Sequence, residues 1–525
     1  MDQCAVSEIA ATRVTRILQT VVIIGTFGFG WWVTSKGLGI SPDSVNYISS
    51  GLNLATGKGL ITFTGAPLTV FPPGLPFLIA SGHWLGISFQ MTARLVNVLS
   101  VTGSVYLAMH IVERRVEKSA QVLLAGCIVG ISFSGTYVAT YVWTEPLFIF
   151  LVLLSFVAYL HFASRPSSRL ALTLLGGTTA MAFAVRYVGL VLIPVFTLSI
   201  AWQLRNQGRR SIVNASSRVL FATSFVPTIW LIRNVATNGT VFGARPSSMQ
   251  SLGTTLVSYF LQFLKLIFGT VFTSRVSDWS AVSLIALLLS AILASAWWTA
   301  RFLPRAIHEM RSPSAVPLLV LFGVIYSGYL IFVQLTTAIN PFDTRLLSPM
   351  YVPIILIAVF SVNSSRMLAQ HISSNFRVVI GSLMLGLVLF CQITSTVAYS
   401  SSLKSSRFSG LATSPFEEAV MRIPASVNYY SNIGYLLWIN HPRNGIMDAP
   451  IHGAYNSRDR YPISSTFLRS ISCTPTLLVW SDLGPSWFYR PEELTKFVSV
   501  HLIQRFNDGA IYRLGPKGRR YPCSR

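Results

Sequence analysis

What most constrains this chain is the recurrence, over its first 400 positions, of apolar runs of 17 to 25 residues. Each is long enough for a helix to cross the ~30 Å hydrocarbon core of a bilayer. Within hydrocarbon every backbone N–H and C=O must be paired, so a run of this kind has one solution, the α-helix. Charge is correspondingly sparse: 11% of the 525 residues are charged and 52% are hydrophobic, whereas soluble domains carry about a quarter charged residues. The chain therefore reads as a polytopic α-helical membrane protein.

About eleven spans can be drawn, near residues 16–35, 91–112, 119–137, 144–163, 169–184, 187–204, 215–233, 280–300, 314–335, 346–363 and 377–398. The formal net charge of +23 would suggest nucleic acid in a soluble protein. Here the Lys and Arg sit in short connections, so the charge reads as topology. With the N-terminus in the cytoplasm, the cytoplasmic connections are those holding Arg114, Arg115 and Lys118, then Arg205, Arg209 and Arg210, then Arg301, Arg305 and Arg311. The first apolar run, about Ile17 to Thr34, lacks a small-residue cleavage site and reads as a span rather than a signal peptide. No zinc-ligand cysteine spacing, Walker loop or dinucleotide fingerprint occurs.

The opposite, extracytoplasmic face collects the irregular material. It holds a long first outer loop at 36–90, in which Phe71–Gly86 is expected as an interfacial helix, and a loop at 234–279 whose "LVSYFLQFLKLIFGTVF" is expected to lie flat on the membrane. Residues 1–400 then form the transmembrane domain and residues 401–525 a small extracytoplasmic α/β domain. Cys473 and Cys523 both fall in the latter. An oxidising compartment permits a disulfide there without requiring one.

Ionisable residues at membrane depth are expensive and therefore informative. The outer ends of the spans hold Asp43, Arg94, Glu145, Arg186, Arg233, Asp343 and Arg345, drawn from six segments. Arginines at that depth can grip a phosphate bidentately, and a carboxylate beside them can take a proton from an incoming hydroxyl. Each residue also has a plainer reading. Asp43, after Ser41-Pro42, suits a helix cap, and Glu145, before Pro146, suits a helix dipole. Arg186 and Arg233 suit lipid headgroups, Asp343 and Arg345 a local ion pair, and His83 an interfacial position.

The stretch "DSVNYISSGLNLATGKGLITFTGAPLTVFPPGLPFLIA" resembles the first outer loop of integral-membrane GT-C glycosyltransferases of the protein mannosyltransferase and lipid A aminoarabinose transferase type. The resemblance rests on Asp43, Tyr47, Gly57–Gly59 and Phe71–Gly74. "WTEPLF" is similar to the family's acid–Pro span start, "VRYVGL" to its Arg-plus-Gly motif, and "FDTRLLSPMYVPIILI" to its Asp-x-Arg-Tyr-Leu-x-Pro motif, with Leu346 in place of Tyr. The order of the four motifs extends the resemblance over residues 1–400. No second acid stands beside Asp43, and the His and Glu metal-ligand set of some relatives is absent from these motifs.

The resemblance implies an inverting transferase in a multi-pass cell membrane protein, bacterial plasma membrane being the expected setting. It would move a sugar from a polyprenyl-phosphate-linked donor to a hydroxyl of a protein, lipid or glycan acceptor at the extracytoplasmic face. Asp43 and Glu145 match its catalytic acids. Arg186 and Arg345 match donor-phosphate positions, with Arg94, Arg233, Asp343 and Tyr47 as further substrate-binding candidates. The expected partners are the donor, the acceptor and membrane lipid, with no nucleic acid. No cofactor is fixed by these residues, and a divalent metal stays open. The competing reading is a flippase or transporter of a lipid-linked or anionic substrate. Such proteins also hold arginines at membrane depth, but they commonly show internal repeats, and none is visible here.

Overall fold

A computed structural model of the chain describes residues 2–116, 118–273, 315–364, 374–403, 414–424, 426–443, 445–453 and 461–518. The apolar runs fold as helices: α1 (Asp2–Val33), α4 (Phe89–Glu113), the pair α5 (Ser119–Gly130) and α6 (Phe133–Ala139), α7 (Glu145–Ser164), α8 (Arg169–Val185), α9 (Leu192–Gln203), α10 (Arg209–Asn238), α11 (Leu252–Thr273), α12 (Ala315–Thr336), α13 (Thr344–Ser364) and α14 (Ser374–Ser402). Among the described residues eight helices are long and apolar enough to cross a membrane, and the α5–α6 pair, bent by 44°, makes a ninth candidate. The chain is a multi-pass membrane protein.

The span count of eleven does not carry over as drawn. Spans expected at 169–184 and 187–204 are shorter helices, and the one expected at 280–300 falls outside the described residues. The segment expected to lie flat is instead α11, a membrane-crossing candidate packed among the other helices. Its polar groups find partners inside the bundle. Tyr259 Oη donates to Ser327 Oγ at 2.7 Å. The carbonyls of Leu266 and Ile267, next to the non-helical Gly269, accept from Gln392 Nε2 at 3.0 and 2.8 Å. A sequence period cannot reveal such partners.

The long first connection carries two helices, α2 (Pro42–Ala55) and α3 (Gly74–Trp84). It is anchored at its start by a short bridge to the α6–α7 connection: Gly39 N–H donates to Thr140 O at 2.7 Å and Val142 N–H to Gly39 O at 3.1 Å. A Cβ on Gly39 would stand 2.5 Å from the Tyr141 ring, so only glycine lets the two segments meet.

The C-terminal residues form a five-stranded sheet of order β2-β1-β3-β5-β4. Strands β1 (Asn428–Ser431), β2 (Ile446–Asp448) and β3 (Thr476–Ser481) are parallel, and β4 (Val498–Arg505) and β5 (Gly509–Pro516) add an antiparallel hairpin. This is the expected α/β unit. It shares one apolar core with the first connection, in which Val45, Ile48 and Phe63 pack with Phe416, Leu437 and Trp438. Cys473 is disulfide-bonded, while Cys523 lies outside the described residues.

After α8 the chain reverses through a 3-10 turn, Tyr187–Val191, whose Gly189 lies against the backbone of Ala182 and Phe183. A Cβ there would stand 2.5 Å from Phe183 N. Gly189→Ala is therefore expected to lower the thermal midpoint in detergent, the overpacking costing about 1–3 kcal/mol. Gly177→Ala, on the open face of α8, is expected to leave the midpoint unchanged or raise it.

Candidate active site

The carboxylate of Asp43 is placed by a cap that it does not itself supply. Ser41 is the N-cap of α2: its Oγ accepts from Ser44 N–H at 3.3 Å, and Ser44 Oγ accepts from Ser41 N–H at 3.0 Å. Pro42 at the first helical position suits the turn. The capping role considered for Asp43 thus belongs to Ser41. Asp43, in the first turn, is free to reach Arg345 Nη1 at 2.7 Å.

Arg345 opens α13. Its Nε donates to Glu145 Oε1 at 2.5 Å, and its guanidinium lies 4.3 Å from the centre of the Trp143 ring. The Trp143 indole N–H donates to Ser41 Oγ at 2.8 Å, so one tryptophan ties the cap of α2 to the arginine of α13. Asp343 is not Arg345's partner. Its Oδ1 accepts from Leu346 N–H at 2.8 Å and so caps α13. Burial pushes the Asp343 carboxyl above its ordinary value, against the pull of that N–H and of Arg345.

Glu145 begins α7 and is wholly buried, at 0% exposure. Its Oε1 takes both Arg345 Nε and Arg186 Nη1, and Arg186 also reaches Thr144 Oγ1 at 3.2 Å. Glu145 Oε2 is buried with no hydrogen-bond partner among the described residues. The helix-dipole reading of Glu145 holds as well, since a carboxylate in the first turn faces the positive end of α7. Both roles place it beneath the cleft rather than in its wall.

Asp43, Tyr47, Arg186, Asp343 and Arg345 line one cleft of about 340 Å³. Its other walls are Val70–Pro72, Tyr187 and an apolar face of α12 carrying Tyr326, Tyr329, Leu330 and Val333. Tyr47 packs edge-on against Phe71 at 4.9 Å. Burial, and then the Asp43 charge, push its phenol upward, so it remains a protonated donor.

Two arginines expected here are placed elsewhere. Arg94 donates to Trp31 O at 2.6 Å and Thr34 Oγ1 at 3.1 Å, and covers the Trp31 ring at 3.7 Å, fixing the end of α1. Arg233 donates to Leu68 O and, at 3.2 Å, to Leu60 O, so it pins the first connection to α10. Each satisfies backbone carbonyls left open by a chain end or turn, a demand invisible before the loop's path is known. His83 is exposed on α3 and does not line the cleft. Among the described residues no three His, Cys, Asp or Glu side chains are grouped to hold a metal ion.

One cation in the wall was not anticipated. Arg245, in the α10–α11 connection, lines the cleft and donates to Val70 O at 3.0 Å. Its loop is stitched to the α12–α13 connection through Ala338 N–H to Pro246 O at 2.9 Å. No carboxylate lies within salt-bridge distance of it among the described residues, whereas the charges of Arg186 and Arg345 are met by Glu145 and Asp43. No motif surrounds Arg245, so only the loop's path identifies it.

Removing the shared carboxylate would leave two mostly buried guanidinium groups facing each other. Glu145→Gln is expected to destabilise the fold by about 3–5 kcal/mol, the usual penalty for breaking a buried ion pair. The double variant Glu145→Gln/Arg186→Gln should recover part of that loss. Thermal unfolding of the four members of this double-mutant cycle measures the coupling.

Residues 57–235 match the family model of dolichyl-phosphate-mannose-protein mannosyltransferases. A search of curated protein sequences finds no significant match. In fold the chain is similar to ArnT from Cupriavidus metallidurans in the apo state, with a TM-score of 0.58 at 13% identity over 96% of this chain and 98% of that one. The same protein bound to undecaprenyl phosphate gives 0.55 at 12% identity over 95% and 97%. Arabinofuranosyltransferase AftD from Mycobacteria gives 0.52 at 13% identity over 97% of this chain and 40% of that one. The family model thus covers the later part of the first motif and the whole of the second and third, and the similarity in fold to ArnT and AftD extends over nearly the whole of this chain.

Proposed function

We propose that the chain is an inverting glycosyltransferase that takes a sugar from a polyprenyl-phosphate donor at the extracytoplasmic face of a bacterial plasma membrane. The observation that carries this reading is the Asp43 carboxylate 2.7 Å from Arg345, in a cleft that also exposes Arg186 and Arg245 and is backed by the apolar face of α12. A similar fold, that of ArnT, has been seen bound to undecaprenyl phosphate. The basic connections at the other ends of the helices support a cytoplasmic N-terminus and an outward-facing C-terminal sheet.

The donor phosphate is taken by Arg345, Arg186 and Arg245. The polyprenyl chain leaves along Tyr329, Leu330 and Val333 toward lipid. The acceptor hydroxyl gives its proton to Asp43, and its oxygen forms a bond to the anomeric carbon on the face opposite the phosphate. The anomeric carbon–oxygen bond to phosphate breaks, and its electron pair leaves as polyprenyl phosphate. That negative charge is met by guanidinium groups already held in place, Arg186 and Arg345 by Glu145 and Arg245 by the Val70 carbonyl. The arriving phosphate also competes for Arg345, which releases the carboxylate of Asp43 for the incoming hydroxyl. Glu145 touches neither substrate and serves as a positioning residue. Tyr47 and Asp343 complete the wall, and Asp343 caps the helix that presents Arg345.

Asp43→Asn keeps the size of the side chain and leaves the Ser41 cap untouched. It is expected to retain binding of polyprenyl phosphate while turnover falls about 10²–10⁴-fold, the usual contribution of a positioned base. Release of polyprenyl phosphate from radiolabelled donors by protein in lipid nanodiscs measures this. Turnover by the variant equal to wild type would remove Asp43 from the chemistry.

A further inference from the structure

A second cavity adjoins the cleft. It measures about 460 Å³ and is lined by residues 66–71 of the first connection, with Asn46, Thr62, Asn238 and Ala244. Val70 and Phe71 line both spaces, so a single two-residue wall separates them. On α2, Asp43 and Asn46 are three residues apart and so share a face. That face presents Asp43 to the first space and Asn46 to the second.

The two spaces differ in chemistry. The first contains three arginines and two aspartates; the second contains no ionisable side chain. Its floor is apolar, from Pro67, Leu68, Val70 and Phe71, and its polar groups are two amides and two hydroxyls. Those groups are fixed in place: Asn238 Nδ2 donates to Thr69 Oγ1 at 2.7 Å, and Thr62 Oγ1 lies 2.9 Å from Thr64 Oγ1. Asn46 Nδ2 turns back to Pro42 O at 3.1 Å. An anionic ligand would touch no counter-charge here: Arg233 and Arg245 donate to the carbonyls of Leu68 and Val70 in its wall but do not line the cavity. A sugar ring is matched on both counts: its C–H face suits the apolar floor, and its hydroxyls suit amide and hydroxyl partners that both donate and accept. The volume lies within the range of about 300–1,000 Å³ typical of small-molecule sites.

We propose that this cavity is the acceptor subsite and that the acceptor is a neutral glycan, whose reacting hydroxyl passes the Val70–Phe71 wall to reach Asp43. The assignment rests on the transferase reading above. The separation of charge explains how one cleft admits two substrates in a fixed order of position: the anionic donor is drawn to the guanidinium groups, and the neutral acceptor is left the uncharged side.

The test uses the full chain in nanodiscs, with polyprenyl-phosphate donors and methyl glycosides of mannose, galactose and arabinose as acceptors. A Ser/Thr peptide and a phosphorylated glycolipid serve as alternative acceptors. Ala66→Trp fills the cavity from an exposed turn, and Asn46→Ala removes one amide from a helix that alanine favours. Both variants should bind polyprenyl phosphate as wild type does. Acceptor KM should rise about tenfold or more in Ala66→Trp and by a smaller factor in Asn46→Ala, with kcat nearly unchanged, the signature of lost ground-state binding. Wild-type acceptor KM in Ala66→Trp would overturn the assignment of the cavity. Transfer by wild type to the peptide or phosphorylated lipid, with none to any neutral glycoside, would overturn the ligand class. Failure of wild type to bind polyprenyl phosphate or release it from any donor would instead overturn the transferase reading, and this inference with it.

Discussion

Everything around the cleft depends on one carboxylate shared by two guanidinium groups. Glu145 is buried at the start of α7, Arg186 ends α8, and Arg345 opens α13. Three helix ends from distant parts of the chain are thereby held at one point. Like charges this close would repel in a poorly hydrated interior, where Coulomb energies greatly exceed those in water. The carboxylate makes their proximity tolerable, and their two charges in turn make a buried acid tolerable. The arrangement leaves the positive groups of the cleft held in position by the protein alone.

The first connection is the second structural necessity. It is a plate that takes Asp43 to Arg345 at one edge and is held to α10 by Arg233 at the other. The glycine at position 39 lets it begin beside Tyr141, and the C-terminal unit packs on it through the helix Gly434–Asn440, whose Trp438 ring lies 6.4 Å from that of Phe63. The same plate supplies the Val70–Phe71 wall between the charged and uncharged spaces. A single loop thus carries the carboxylate proposed as base, part of the cleft wall and most of the second cavity.

Much of this was legible in residue order. Lone charges within or beside apolar runs drew attention to Asp43, Glu145, Arg186 and Arg345, and these are the four that the structure joins into one network. The same rule also selected Arg94 and Arg233, which sit at equally conspicuous positions but answer to backbone carbonyls. Cost at membrane depth says that a charge has a partner without saying which one. Arg245 escaped the rule because it lies in a polar loop, where a charge costs little and so signals nothing. Trp143 escaped because tryptophans near the membrane surface are common for reasons unrelated to any site.

By itself, then, the sequence determined the helical membrane architecture, the presence of a small C-terminal α/β fold and the short set of costly charges. These follow from hydrocarbon length, backbone hydrogen bonding and desolvation, all of which act on local composition. The tertiary structure decided the rest. It placed α11 inside the bundle, gave the cap of α2 to Ser41 and that of α13 to Asp343, and divided the open volume into an ionic and a neutral space. Pairings such as Glu145 with Arg345, 200 positions apart, depend on where distant helix ends meet, and no local pattern encodes that.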